Sequence, residues 1–387
     1  MALDPQHYES RPQAFVKHTF LQQYLPALAN KLANSRNRLV YIDGFAGPWQ
    51  SSDEQQYSDT SFGIALDAMR AAQDFQKSRG HELSVSVHLV EKNVKAHAKL
   101  QALKAIFPTI EIIPYLGKFE DHFPQILNAL KPSDFCFTLI DPKGLSLDVA
   151  QLAPLLSRPR SEVVINFMYD FFNRLAGMDD KAINEITNAL MLGDEWRPIL
   201  KAAQTPKERE KIVSQAFCQN VKGTGQFDYV TTLTVQMPQS DRTFYHLVFG
   251  TRHPVGLSVF RDSQIKALEA QAQLRTSIKS KAKTDKSGMG DLFGGQFVVA
   301  SDPSSLEIEE GKAKGIAKTK ELIQQNAEGI VWSKLWPQVL KDHIIRQSTL
   351  AQAINIWRKQ GQILAPNWRS TKHRVPADNE LLFWNNL

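Results

Sequence analysis

Cysteine is nearly absent from this 387-residue chain; only Cys136 and Cys218 occur. Two cysteines exclude a disulfide framework and a four-Cys metal site. Cys136 falls in the apolar run Phe135–Ile140 and reads as a small buried hydrophobe. No stretch approaches the ~18 apolar residues that mark a membrane span. The opening residues 1–11 carry charge and a proline but no apolar centre, which argues against a signal peptide. A Walker phosphate loop and a G-x-G-x-x-G dinucleotide fingerprint are also missing. The expectation is a cytoplasmic protein with no membrane association and no structural metal.

What is there fits a globular protein of two or three domains, with 42% hydrophobic and 22% charged residues. The net charge of +6 is weak evidence for a nucleic-acid partner, but its distribution says more. Residues 275–286 hold five Lys or Arg against one Asp, and residues 331–387 hold eight against three acids.

Apolar residues recur at helical spacing over 13–34, and Leu39–Phe45 follows as a short strand ending in a Gly-Pro turn. Strands at 84–90, 111–115, 135–140 and 162–167 then alternate with helices at 61–79, 93–106 and 119–130. Such alternation describes a parallel, doubly wound sheet, whose strands lack polar alternation because helices cover both faces. Residues 170–220 read as mainly helical. Strands at 229–237 and 244–251 form a hairpin that adds an antiparallel pair to the sheet edge.

From 276 to 305 the chain is Lys-rich, then Gly- and Ser-rich, and reads as a linker followed by a helix at 306–328. The last 57 residues contain five of the seven tryptophans. Helices at 332–342 and 348–360, then strands near 363 and 372–376, give a winged-helix layout. The expected organisation is a Rossmann-like domain over 1–262, a basic linker with a helix over 263–330, and a winged-helix-like domain over 331–387.

Three acids fall at the carboxyl ends of predicted parallel strands: Asp43, Glu91 and Asp141. In open α/β sheets ligands bind along this edge. The turn Gly44-Phe45-Ala46-Gly47 allows close backbone approach, and Glu91 is placed to accept hydrogen bonds from ribose hydroxyls. Asp43 could equally be a turn residue, Glu91 a solvated strand end, and Asp141-Pro142-Lys143-Gly144 a plain turn. A third use of the three acids is to hold Mg²⁺ in a nuclease. His246 and His253 lack further ligands at metal spacing, which favours packing roles.

At several of these places the chain resembles the three-Cys-motif partner proteins. The likeness spans roughly residues 13–262 and rests on Tyr41-Ile42-Asp43-Gly44-Phe45-Ala46-Gly47-Pro48, Val90-Glu91-Lys92 and Gly117-Lys118-Phe119-Glu120. It continues through Asp141-Pro142-Lys143-Gly144, Ile165-Asn166-Phe167 with Arg174, and the strand Tyr245–His253. The resemblance implies a class I methyltransferase-like fold, S-adenosylmethionine as cofactor, and a Cys-motif partner of the phage Gp37/Gp68 type. It places the cofactor against Asp43, Gly44, Phe45, Ala46, Gly47, Glu91, Lys92, Phe119 and Glu120. Asp141, Pro142 and Lys143 then face the acceptor, with Asp141 orienting or deprotonating the nucleophile of RNA or DNA. Two departures stand out: Trp49 where members usually have Gly, and Lys143 where an aromatic often follows Asp-Pro. They give weight to a non-catalytic nucleic-acid or partner-binding module on the same fold.

Overall fold

A computed structural model describes residues 3–47, 51, 53, 57–145, 147–178, 180–287, 299–368 and 375–385. The chain forms two compact units, Met1–His253 and Pro254–Leu387.

The first unit opens with helix α1 (Pro12–Ala33). Strands and helices then alternate: β1 (Arg38–Asp43), α2 (Ser61–Ser78), β2 (Ser84–Glu91), α3 (Val94–Ile106), β3 (Glu111–Leu116), α4 (Phe123–Ala129), β4 (Phe135–Ile140), α5 (Ala153–Leu156) and β5 (Ser161–Phe167). Four helices follow, α6 (Tyr169–Leu175), α7 (Lys181–Met191), α8 (Trp196–Ala202) and α9 (Pro206–Gly225), before the hairpin β6 (Tyr229–Gln236) and β7 (Thr243–Thr251). The seven strands run in the order β3-β2-β1-β4-β5-β7-β6. The first five are mutually parallel, and β7 is antiparallel to both its neighbours. This is the Rossmann-like sheet of class I methyltransferases.

The burial pattern explains the continuous apolar strands. Every residue of β5 is buried, as are all but the first of β1 and β4, because helices pack on both faces. One polar group inside this core is fully satisfied: Glu162 accepts from the Tyr24 hydroxyl at 2.5 Å and the Thr251 hydroxyl at 2.7 Å. Burial nevertheless pushes its carboxyl up to about 7.

The second unit begins with α10 (Pro254–Ser287) and α11 (Pro303–Gln325). Strand β8 (Ile330–Val331), helices α12 (Trp332–Asp342) and α13 (Gln347–Lys359), and strands β9 (Ile363–Leu364) and β10 (Leu381–Trp384) follow. The small antiparallel sheet has the order β8-β10-β9. Trp332, Trp336 and Trp368 are buried in its core.

Two expectations differ here. The basic stretch read as linker is helical as far as Ser287, since Lys, Arg, Ala and Gln are good helix formers. Its Arg275 is buried and paired with Asp302 at 2.8 Å, so it does not belong to a solvated charge run. The last strand lies at Leu381–Trp384 rather than near 372–376; residues 372–374 are outside the described residues. So are the Gly-rich residues 288–298. No described helix is long and apolar enough to cross a membrane.

Candidate functional site

The carboxyl ends of β1, β2, β4 and β5 border a cavity of about 890 Å³, within the range of small-molecule sites. At its base the chain leaves β1 through an Asx turn. Asp43 Oδ1 accepts the Phe45 amide at 3.0 Å, and Oδ2 accepts the Tyr41 hydroxyl at 3.2 Å. The turn is tied down on both sides. The Gly44 amide donates to the Leu139 carbonyl on β4 at 3.0 Å, and the Ala46 amide to the Val90 carbonyl on β2 at 2.9 Å. A Cβ on Gly44 would stand 2.8 Å from Phe119 Cδ1, closer than real Cβ atoms come, so the close approach of turn and ring requires glycine.

Gly44, Phe45 and Gly47 line the cavity, whereas Asp43 and Ala46 lie beneath it. The sequence sets Asp43 against the ligand, but it is 1% exposed and its oxygens accept from the Phe45 amide of the turn and the Tyr41 hydroxyl of β1. Burial pushes its carboxyl up to about 7, opposed by the Phe45 amide and raised further by the charge of Asp141. Pro48 and Trp49 are outside the described residues.

Glu91 closes β2 with its carboxylate on the cavity wall. Its Oε1 accepts the Asn93 amide at 2.6 Å, while Asn93 Oδ1 caps α3 by accepting the Ala96 amide at 3.0 Å. The cap therefore orients the acid, and Oε2 has no protein partner among the described residues. Lys92 is exposed beside it. Phe119 also borders the cavity but is only 1% exposed. Its ring packs edge-on against Phe45 and Phe123, with centroids 6.1 and 4.7 Å away. It is a wall beneath the turn rather than an open stacking face; Glu120 is half-exposed on the rim.

Asp141, at the end of β4, faces the other half of the cavity. Its Oδ1 accepts Asn166 Nδ2 from β5 at 2.5 Å, and its Oδ2 pairs with Lys17 Nζ from α1. The Lys17 and Asp141 side chains are 12% and 21% exposed, so the pair is only partly screened by solvent. Pro142 is buried behind it, and Lys143 is exposed at the mouth.

Sequence reasoning missed the contribution of the opening helix. Arg11, Lys17 and His18 all border the cavity. Lys17 lies between Val16 and His18 in an amphipathic helix and looks like an ordinary flank residue; only packing of α1 over the strand ends brings it to Asp141. His18 is 3% exposed, bonded through Nδ1 to the Tyr8 hydroxyl at 2.9 Å, and burial holds its pKa well below the usual value, keeping it neutral.

The three strand-end acids do not form a three-acid metal cluster. No group of three His, Cys, Asp or Glu side chains among the described residues could hold a metal ion. His246 packs in the core, 3.3 Å from the Thr234 hydroxyl.

No family model matches the chain, and no curated protein does. Among solved structures it is similar to protein LPL1258 from Legionella pneumophila, of family-model DUF519. That match has 11% identity and a TM-score of 0.41 over 68% of this chain and 92% of the other. It also aligns with WbdD, at 11% identity and a TM-score of 0.29, over 60% of this chain and 38% of WbdD. A loganic acid methyltransferase solved with SAH aligns at 11% identity and a TM-score of 0.29, over 80% and 92% of the two chains. The strand order and direction seen in this chain itself identify its methyltransferase-like sheet.

Proposed function

We propose that this chain is an S-adenosylmethionine-dependent methyltransferase acting on nucleic acid, of the three-Cys-motif partner type. One observation carries the reading: the glycine turn, the Glu91 oxygen that no described residue engages and the oriented carboxylate of Asp141 border a single cavity at the carboxyl edge of a methyltransferase-type sheet.

The residues fit the cofactor. Gly44 and Gly47 bring backbone to the cavity wall, and Glu91 Oε2, unengaged by any described residue, is placed to accept a ribose hydroxyl. The bound cofactor supplies an electrophilic methyl group. On the other side, Lys17 and Asn166 hold the Asp141 carboxylate in one orientation. An acceptor N–H or O–H donating to Asp141 is thereby positioned, and its proton has a base to move toward. Lys17 neutralises the carboxylate, and Lys143 at the mouth offers a cation to a substrate phosphate.

The second unit supports the nucleic-acid reading. Its helix, short strand, two helices and two strands follow a winged-helix order. Lys279 and Lys281, from the basic stretch, would add salt-sensitive phosphate contacts. A Cys-motif protein of the Gp37/Gp68 type is the protein partner the resemblance implies.

A non-catalytic module is the second reading. It is favoured by the two oxygens of Asp141 both being engaged within the protein.

Calorimetry with S-adenosylmethionine should show binding to the full chain, weakened ~10-fold or more in Glu91→Ala, the size expected for a hydrogen bond to a charged group. Absence of heat from well-folded protein overturns the cofactor assignment. Radiolabelled methyl transfer to RNA or DNA that vanishes in Asp141→Ala establishes the enzyme. Cofactor binding without transfer to either supports the module.

A further inference from the structure

The opposite edge of the first unit's sheet carries a second, open cavity of about 810 Å³. It lies where β1, β2, β3 and β4 begin, bordered by Arg36, Arg38, Ser84, Glu111, Lys131 and Asp134. Its charges are unevenly matched. Arg38 consumes both acids, bonding Asp134 at 3.2 Å and Glu111 at 3.1 Å. Arg36 and Lys131 make no ion pair among the described residues. Two more guanidinium groups meet the Lys131–Pro132 segment: Arg158 donates to the Lys131 carbonyl at 2.6 Å and Arg160 to that of Pro132 at 3.5 Å. Neither has a carboxylate partner among the described residues.

Arg36 is the informative member. Its Nε, like that of Arg158, is buried and has no hydrogen-bond acceptor among the described residues, which is unfavourable for a charged donor. Basic residues at this edge can serve carbonyl groups, as Arg158 and Arg160 do for loop carbonyls, but Arg36 serves none among the described residues. The loop that carries it is held in place: the Ser35 amide donates to Leu32 at 2.9 Å and the Ser84 amide to the Asn37 carbonyl at 2.8 Å. Two lining cations, Arg36 and Lys131, with no acid partner among the described residues, and the Arg158 and Arg160 guanidinium groups on the adjoining Lys131–Pro132 segment, match an anion with several oxygens.

We propose that this edge is a phosphate-binding site, centred on Arg36 and Lys131 and separate from the methyl-donor cavity. A planar guanidinium fork suits phosphate oxygens, and Lys131 adds a point charge. The phosphate belongs either to a polynucleotide backbone or to a free phosphorylated molecule.

The test uses the full chain with Arg36→Gln/Lys131→Gln and, separately, Arg36→Lys. Anisotropy with a single-stranded oligonucleotide is measured against salt, and pyrophosphate binding by calorimetry. Loss of two backbone contacts lowers the log–log salt slope by about 1.4, with Arg36→Lys closer to wild type. That result assigns a polynucleotide backbone. Pyrophosphate binding that is lost in the double variant, with the oligonucleotide unaffected, assigns a free phosphorylated ligand. If the folded double variant binds both probes like wild type, or neither probe's binding depends on these residues, the proposal is overturned. S-adenosylmethionine binding to the same variant should be unchanged, which separates failure here from failure of the methyltransferase reading.

Discussion

Asp43 and Asp141 end adjacent parallel strands of the same sheet, yet the structure uses them oppositely. Asp43 is enclosed, bonds only its own strand and the turn it begins, and has its carboxyl pushed up to about 7. Asp141 is one-fifth exposed, opens onto the cavity, and is held by a lysine and an amide from two other elements. Position at a strand end therefore does not decide the role of an acid. What decides it is whether the following turn folds back over the carboxylate, as Phe45 does over Asp43, or leaves it to groups arriving from elsewhere.

The largest effect that sharpens this contrast is on methyl transfer. Asp141→Asn should lower the rate by ~100-fold or more, the usual contribution of a positioned acid or base. Asp43→Asn, which keeps an acceptor for the Phe45 amide, should change the rate only a few-fold. Equal losses in single-turnover assays would break the comparison.

Next in size is the helix-borne partner. Lys17→Met should reduce transfer by roughly 10-fold, the scale of one hydrogen bond to a charged group, with Lys17→Arg recovering much of it. Recovery with Arg but not Gln would show that charge beside Asp141 matters, beyond packing. Gly44→Ala then probes the turn. Its methyl would collide with Phe119, and a cost of about 1–3 kcal/mol should appear in denaturant unfolding, together with weaker cofactor binding.

The smallest effect is electrostatic. Asp43 and Glu162 both have folded pKa values raised to about 7, by burial above all. Between the ordinary carboxylate pKa near 4 and about 7, the folded state holds protons that the unfolded state has released. Stability from these groups is thus fully present below about pH 4 and is lost as pH rises toward 7, by at most ~1.4 kcal/mol per pH unit per group. Unfolding midpoints of Asp43→Asn and Glu162→Gln should each show a flatter dependence across that window. A steeper dependence in either variant would falsify the assignment of a buried, largely protonated acid.

The alternation of apolar strands and amphipathic helices made the Rossmann-like sheet legible, including its closing hairpin, because strands covered on both faces must be apolar throughout. Helix boundaries in the second unit were readable for a similar reason: Trp332, Leu335, Trp336 and Val339 repeat at helical spacing. The basic stretch was misread because composition alone does not distinguish a solvated run from a helix; Arg275 finds Asp302 only after the chain has folded.

Local pattern determined the sheet, the glycine turn and the placement of Glu91, whose orientation follows from a helix cap two residues away. Tertiary structure alone decided that Lys17 and Asn166 converge on Asp141 from 124 and 25 residues away, and that Arg36 and Lys131 line one cavity at the far edge. Periodicity records which side of an element meets the core. It carries no information on which distant side chain arrives opposite, since that depends on how helices and strands pack once formed.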